Sequence, residues 1–270
     1  MAPRDRNGLA ARANACLSKA VPIPGMPLVS FGLAKAGSQS SFDALQKAID
    51  YLTCKAKTKL PFSEDEKTYL IEIYESFSVG GKIMGYSEAA ALANHYVHGD
   101  GAPLTIDAAV YRTSTVVRDT SAALKDYIRM LMNEKRQFAI VTSSDNGFLH
   151  TKAGRGLGIA AGRSIGQQGY VKRDGYLLAE QNNERLQKAN NRFLLRAQSS
   201  KVGNGQMLTR WSVDDVYEFE PFSSGDIYTE IVISDSFVLK ISDGLSHYMT
   251  VLGIAKKYPY LSSWTETWAP

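Results

Sequence analysis

Asp214, Asp215, Glu218 and Glu220 crowd into seven residues of the stretch VDDVYEFEPF, around Tyr217 and next to Trp211 and Phe219. Like charges held close raise one another's pKa, so such a group can supply a general acid and a general base or bind a cation. On an extended strand Asp215, Tyr217 and Phe219 share one face, while Asp214, Glu218 and Glu220 fall mainly on the other. The plainer expectation is a solvated strand edge before the turn at Pro221. As chemistry, the stretch predicts Asp215 or Glu218 as general base or ligand of a divalent ion, Tyr217 as a positioning group, and the distant His247 as a proton donor.

A second candidate is His95-x-x-His98-x-Asp100, which places two imidazoles about one helical turn apart and a carboxylate just beyond. Zinc takes such ligands. It needs others too, and the remaining histidines are His150 and His247. A polar helix end running into a Gly-Asp-Gly loop is the commoner use of such a pair.

The segment AGRGLGIAAGRSIGQQG carries Gly154, Gly156, Gly158, Gly162, Gly166 and Gly169, a backbone bare enough to approach phosphates closely. It is no dinucleotide fingerprint, because QFAIVTS ends more than ten residues before it and no Gly-Lys-Ser/Thr follows. Between Thr151 and Arg173 stand Lys152, Arg155, Arg163, Lys172 and Arg173 with no acid among them. Arg155, Arg163, Lys172 and Arg173 are therefore candidates for binding an anionic substrate such as a lipid head group. A solvated loop is the bland alternative. No Gly-x-Ser-x-Gly elbow is present, and neither Cys16 nor Cys54 lies in a context that activates a thiol.

The elements that must position these groups divide the chain. Residues 1–40 are rich in Ala, Gly, Ser and Pro, which predicts an extended docking arm containing Cys16. Phe42, Leu45, Ile49 and Leu52 recur at helical spacing, with Cys54 near the end of that helix. Ser63 and Glu66 form a capping-box pattern that opens a helix over 64–77. SEAAALANHYVH begins a third after Ser87 and ends at Gly99, a residue able to close it in the left-handed conformation. TSAALKDYIRMLMNEK, with Leu124, Ile128 and Leu131 on one side, is a fourth.

From QFAIVTS onward strand-like runs alternate with turn residues at Asp145 to Gly147, Asp174-Gly175 and Gly203-Asn204-Gly205. RFLLRAQ and QMLTRWSV flank the third turn, and YTEIVIS and FVLKIS flank Asp235-Ser236. In SHYMTVLGIAKKYPYLSSWTETW the two periodicities compete. The fold expected is α+β: an arm over 1–40, a helical region over 41–136, and an antiparallel β-rich region over 137–270, the last two forming one continuous structural unit.

Length and composition bound the rest. At 270 residues and 44% hydrophobic content the chain can bury a sizeable core. Thirty-one basic residues nearly balance 27 acidic ones, leaving +4 and a pI near 8.9, which is no strong signal for nucleic acid. Two cysteines permit at most one disulfide. No signal-peptide core or apolar run of ~20 residues is present, so the expectation is a chain made soluble in the cytoplasm and, if exported, by a signal-independent route.

Asp215-Val216-Tyr217-Glu218 resembles the Asp-x-Tyr-Asp core of the colicin M family, phosphodiesterases that cleave the undecaprenyl-linked peptidoglycan precursor in the bacterial envelope. The likeness covers four residues. That family has an aspartate in the place of Glu218 and a His-Arg pair a few residues on, where this chain reads FEPFSSGDI; His247 and Arg210 are available to replace that pair. Residues 85–130 are similar in texture to uncharacterised effectors of contact-dependent and type VI secretion systems.

The resemblances imply a bacterial antagonism toxin acting on an envelope substrate. Its partners would be a cognate immunity protein, a secretion-apparatus component, and an anionic lipid or cell-wall precursor. A divalent metal ion is the cofactor they allow. The competing expectations are a membrane-perturbing toxin or partner-binding adaptor without catalysis, and a zinc hydrolase built on His95, His98 and Asp100.

Overall fold

The computed structural model describes residue 16 and residues 39–132, 136–152, 154, 164–165, 169–171, 175–179, 183–190, 192–222, 228–234 and 237–270. The rest of the 1–40 arm and Arg155, Arg163, Lys172 and Arg173 lie outside them. In chain order the principal helices are α1 (Gln39–Lys57), α2 (Glu64–Ile83), α3 (Ser87–His98), α4 (Thr115–Leu131), α5 (Glu184–Ala189) and α6 (Asp243–Val251). The strands are β1 (Leu104–Thr105), β2 (Phe138–Thr142), β3 (Ser164–Ile165), β4 (Gly169–Val171), β5 (Leu177–Leu178), β6 (Arg192–Phe193), β7 (Arg196–Lys201), β8 (Met207–Tyr217), β9 (Tyr228–Ser234), β10 (Phe237–Ser242) and β11 (Tyr258–Trp268). Long helices precede a largely antiparallel second half, so the fold class is α+β.

The chain forms two compact units, and each draws on both ends of the sequence. One joins the residues up to Gly101 with Tyr217–Tyr258; the other joins Ala102–Val216 with Pro259–Pro270. In the first, α1 packs on α6 and β10, and α2 on α3. Leu45, Ile49 and Leu52 of α1, Leu70 and Ile73 of α2, Leu92 of α3, and Leu245 and Met249 of α6 are all buried. Each such side chain contributes about 1.5–3 kcal/mol of hydrophobic stabilisation.

The capping box forms as the sequence predicts. The Ser63 hydroxyl accepts from Glu66 N, and Ser63 N donates to the Glu66 carboxylate at 2.7 Å. The helix then runs past 77 to Ile83. Gly99 closes α3, but in extended backbone (φ −73°, ψ 161°) rather than the left-handed form expected. Glycine is required there for space: a Cβ would lie 2.3 Å from the His95 carbonyl. Cys16, expected on the mobile or docking arm, is fully buried and disulfide-bonded to Cys54, the one bridge that two cysteines allow.

In the second unit the five-stranded sheet has the order β1-β11-β8-β7-β2, with α4 against β2. Ala139, Val141, Ala197, Trp211 and Val213 turn inward by strict alternation. The β7–β8 hairpin turns at Gly203–Gly205, where Asn204 (φ 65°) and Gly205 (φ 71°) take the left-handed backbone such turns demand. β9 and β10 pair as the second expected hairpin. Asp145 makes no hairpin turn; its carboxylate caps the helical turn Asn146–Leu149. The ambiguous C-terminal stretch divides into α6 and β11, separated by Gly253 at φ 73°. Among the described residues no helix is long and apolar enough to cross a membrane.

Candidate active site

The groups best arranged for chemistry lie where the chain leaves β8 and crosses the start of α6. Ser242 caps α6 by accepting from Leu245 N at 3.0 Å, which fixes Asp243 in the first turn. Asp243, Ser246 and His247, spaced by three and four, share one face of the helix. Over that face runs the segment Tyr217–Phe222. A Cβ on Gly244 would sit 2.3 Å from the Phe222 ring, so the two chains meet closely there. His247 Nδ1 lies 3.0 Å from the Phe219 carbonyl oxygen. A carbonyl can only accept, so Nδ1 carries a proton, and in the neutral form of the ring Nε2 is the nitrogen left to accept one.

Asp243 is the electrostatic centre of this arrangement. Burial pushes its carboxyl above the ordinary value; a hydrogen bond donated by the Thr229 hydroxyl at 3.0 Å pulls it back down, and the charge of Glu220 pushes it up again. The same carboxylate adds to the effect of burial in raising the Tyr217 phenol. Asp243 is thus a half-buried carboxyl bonded by the Thr229 hydroxyl, with the exposed Glu220 carboxylate and the Tyr217 phenol within its electrostatic reach.

Beneath them is an aromatic floor of Tyr74, Tyr96, Tyr217, Phe219 and Tyr258. Tyr217 stacks on Tyr258 at 5.4 Å and meets Phe219 edge-on at 5.3 Å; Tyr96 meets Phe219 at 5.2 Å. The phenols are spent on structure. Tyr74 donates to Ser246 Oγ at 2.6 Å, Tyr96 to the Ser246 carbonyl at 2.7 Å, and Tyr258 to the Leu92 carbonyl at 2.6 Å. Burial, first among the causes, keeps all three protonated far above neutrality. Ring contacts with Tyr96, Phe219 and Tyr258 seat Tyr217 in this floor.

Of the residues expected from sequence, Tyr217 and His247 therefore come into one locality. Glu218 points out to an exposed pairing with Lys257 Nζ at 3.6 Å, a contact of little energetic weight. Asp215 belongs to the other unit, where its carboxylate accepts from Val216 N at 2.8 Å and from the Tyr260 hydroxyl at 3.4 Å. His95, His98 and Asp100 are not assembled as metal ligands. His98 Nε2 faces Glu75 Oε1 at 2.8 Å, the His95 ring lies edge-on to Tyr258 at 4.4 Å, and no group of three or more such side chains able to hold a metal ion occurs among the described residues.

Asp243 and Thr229 are what sequence reasoning missed at this locality; Glu220 was read as part of the acidic cluster, without Asp243 beside it. One signal was legible: Asp243 stands four residues before His247, behind a capping serine. Helical spacing and alternation competed in this stretch, so the sequence left the helix undecided. The chain matches no protein-family model, no curated protein and no solved structure.

Proposed function

We propose that this protein is a hydrolase of the bacterial antagonism-effector kind, acting on a phosphate-containing envelope substrate such as the undecaprenyl-linked peptidoglycan precursor. The observation that carries the reading is Asp243: a half-buried carboxyl held above its ordinary range beside Glu220 and Tyr217, on one helix face with His247. A carboxyl whose protonated form is favoured by burial and by a neighbouring negative charge is suited to donate a proton to a leaving oxygen.

In the proposed step a water oxygen forms a bond to phosphorus as the bond from phosphorus to the leaving oxygen breaks. His247 Nε2 takes the water proton, and protonated Asp243 gives one to the leaving oxygen, so charge and protons balance. Tyr217 orients the phosphate. The likeness of Asp215-Val216-Tyr217-Glu218 to the colicin M core supports the substrate class. The Cys16–Cys54 disulfide supports work in an oxidising compartment, since such bonds are rare in the cytosol.

The test is release of product from the purified precursor by oxidised protein, compared with Asp243→Asn. Loss of acid catalysis should slow release by roughly 10²-fold or more. The same variant should gain stability at pH 7. A carboxyl raised on folding costs stability wherever it is ionised, above its folded pKa, and the cost disappears below its unfolded value. The urea midpoint of Asp243→Asn should therefore exceed that of the parent at neutral pH and converge with it in acid. Absence of product, or full activity in Asp243→Asn, would sink the proposal.

A further inference from the structure

β2 is an outer strand of the five-stranded sheet. Among the described residues β2 pairs with β7 alone. Lys201 N donates to the Gln137 carbonyl and Ser143 N to the Leu195 carbonyl, which fixes the phase of the antiparallel ladder. Ala139 and Val141 consequently point their backbone groups at β7. Phe138, Ile140 and Thr142 point theirs away from it, along an edge that no other described strand occupies.

The side chains of the same residues lie on the sheet's open face. Phe138 is 52% exposed and Ile140 46%. Register extends each into a row across the sheet: Phe138–Ser200–Leu208, Ile140–Gln198–Arg210 and Thr142–Arg196–Ser212. Leu208 is also exposed. Arg210 and Arg196 stand in the second and third rows, and Asp214, beyond Ser212, is the first acid met along β8 on this face. The surface is apolar stripes among cations.

Edge strands of this character are usually blunted by a proline, an inward charge or a covering group. β10 shows the device: the Gln46 side chain amide donates to the Lys240 carbonyl at 3.0 Å and accepts from Lys240 N at 2.9 Å, standing in for a strand. β2 has neither proline nor charge within it.

We infer that β2 receives an extended peptide segment of a partner protein, one that alternates apolar and acidic side chains and adds as a further strand. Main-chain bonds to Phe138, Ile140 and Thr142 give affinity, and the Phe138/Ile140/Leu208 stripe with Arg210 and Arg196 gives specificity. Charge selects the occupant. A second copy of this chain stacked on the face would set these cations against themselves, whereas an acidic segment neutralises them.

The probe is a fluorescent heptapeptide alternating Glu and Val, with its Lys/Val counterpart as control, added to the oxidised full chain. The Glu/Val peptide should bind at least about tenfold more tightly than the control, and less tightly as salt rises from about 0.05 to about 0.3 M. Ile140→Pro removes only an outward N–H, which an edge strand tolerates, and should weaken binding at least about tenfold. Arg210→Glu guards against a folding defect in that variant and should weaken it severalfold. Peptide binding should slow amide exchange at Ile140 and Thr142. Equal binding of both peptides, or binding unchanged by Ile140→Pro and Arg210→Glu, overturns the inference. So does a concentration-dependent dimer abolished by Ile140→Pro, which would give the edge to a second copy.

Discussion

Two glycines in helices should respond to alanine with opposite signs, and the difference tests the placement of the candidate site. A Cβ on Gly244 meets Phe222 Cδ1 at 2.3 Å and both Cε1 and Cγ at 2.5 Å, so the whole ring must move rather than its tip. Overpacking of this kind costs about 1–3 kcal/mol, against a gain in helix propensity of at most ~1 kcal/mol. The net expectation for Gly244→Ala is a loss of roughly 1–2 kcal/mol, or about 0.5 M in urea midpoint for a slope near 3 kcal/mol/M. Gly80, in α2, has nothing within 4 Å of its would-be Cβ. Gly80→Ala should gain about 0.5–1 kcal/mol.

Urea unfolding followed by far-ultraviolet circular dichroism measures both. Tryptophan fluorescence is the wrong reporter, since Trp211, Trp264 and Trp268 all belong to the other unit. Gly244→Ala should also lower product release, because Phe222 is two residues from Glu220 and its displacement separates Glu220 from Asp243. If Gly244→Ala stabilises as Gly80→Ala does, Phe222 does not lie on α6, and the pairing of Glu220 with Asp243 fails with it.

Three further outcomes follow from the same contacts. Burial alone would raise the Glu66 carboxyl, but the Lys55 ammonium at 2.6 Å and the Ser63 N–H outweigh it and hold it below the ordinary value. Its folded pKa is depressed, so its stabilisation is present above the unfolded pKa and is lost as pH falls through the folded one. Glu66→Gln should cost about 3 kcal/mol in urea at pH 7, and the gap should close in acid; a gap independent of pH refutes the pairing. Tyr74→Phe removes the buried bond to Ser246 and should cost about 1–1.5 kcal/mol, with a double-mutant cycle against Ser246→Ala showing coupling; additive losses would deny the contact. The Cys16–Cys54 bridge spans 38 residues, for which the chain-entropy account gives about 4 kcal/mol. Denatured protein should show no free thiol, and reductant should lower the thermal midpoint; two titratable thiols would contradict the bridge.

What the sequence determined by itself was local. The Ser63/Glu66 box, the helical spacing of Phe42 to Leu52 and the turn at Gly203–Gly205 each depend on neighbours within a few residues, and each element formed where its pattern lay. Tyr217 and His247 were legible as chemistry-bearing for the same reason: residue type is visible without a fold. Tertiary structure decided what long-range closure decides. It carried Cys16 to Cys54, placed Asp215 and Tyr217 in different compact units although they are two residues apart, turned Glu218 out to Lys257, and took His98 to Glu75 instead of to a metal site. It also raised Asp243 from an unnoticed helix-start residue to the centre of the candidate site. Burial and an approaching charge shift a carboxyl's protonation, and both come from chain segments that are distant in sequence.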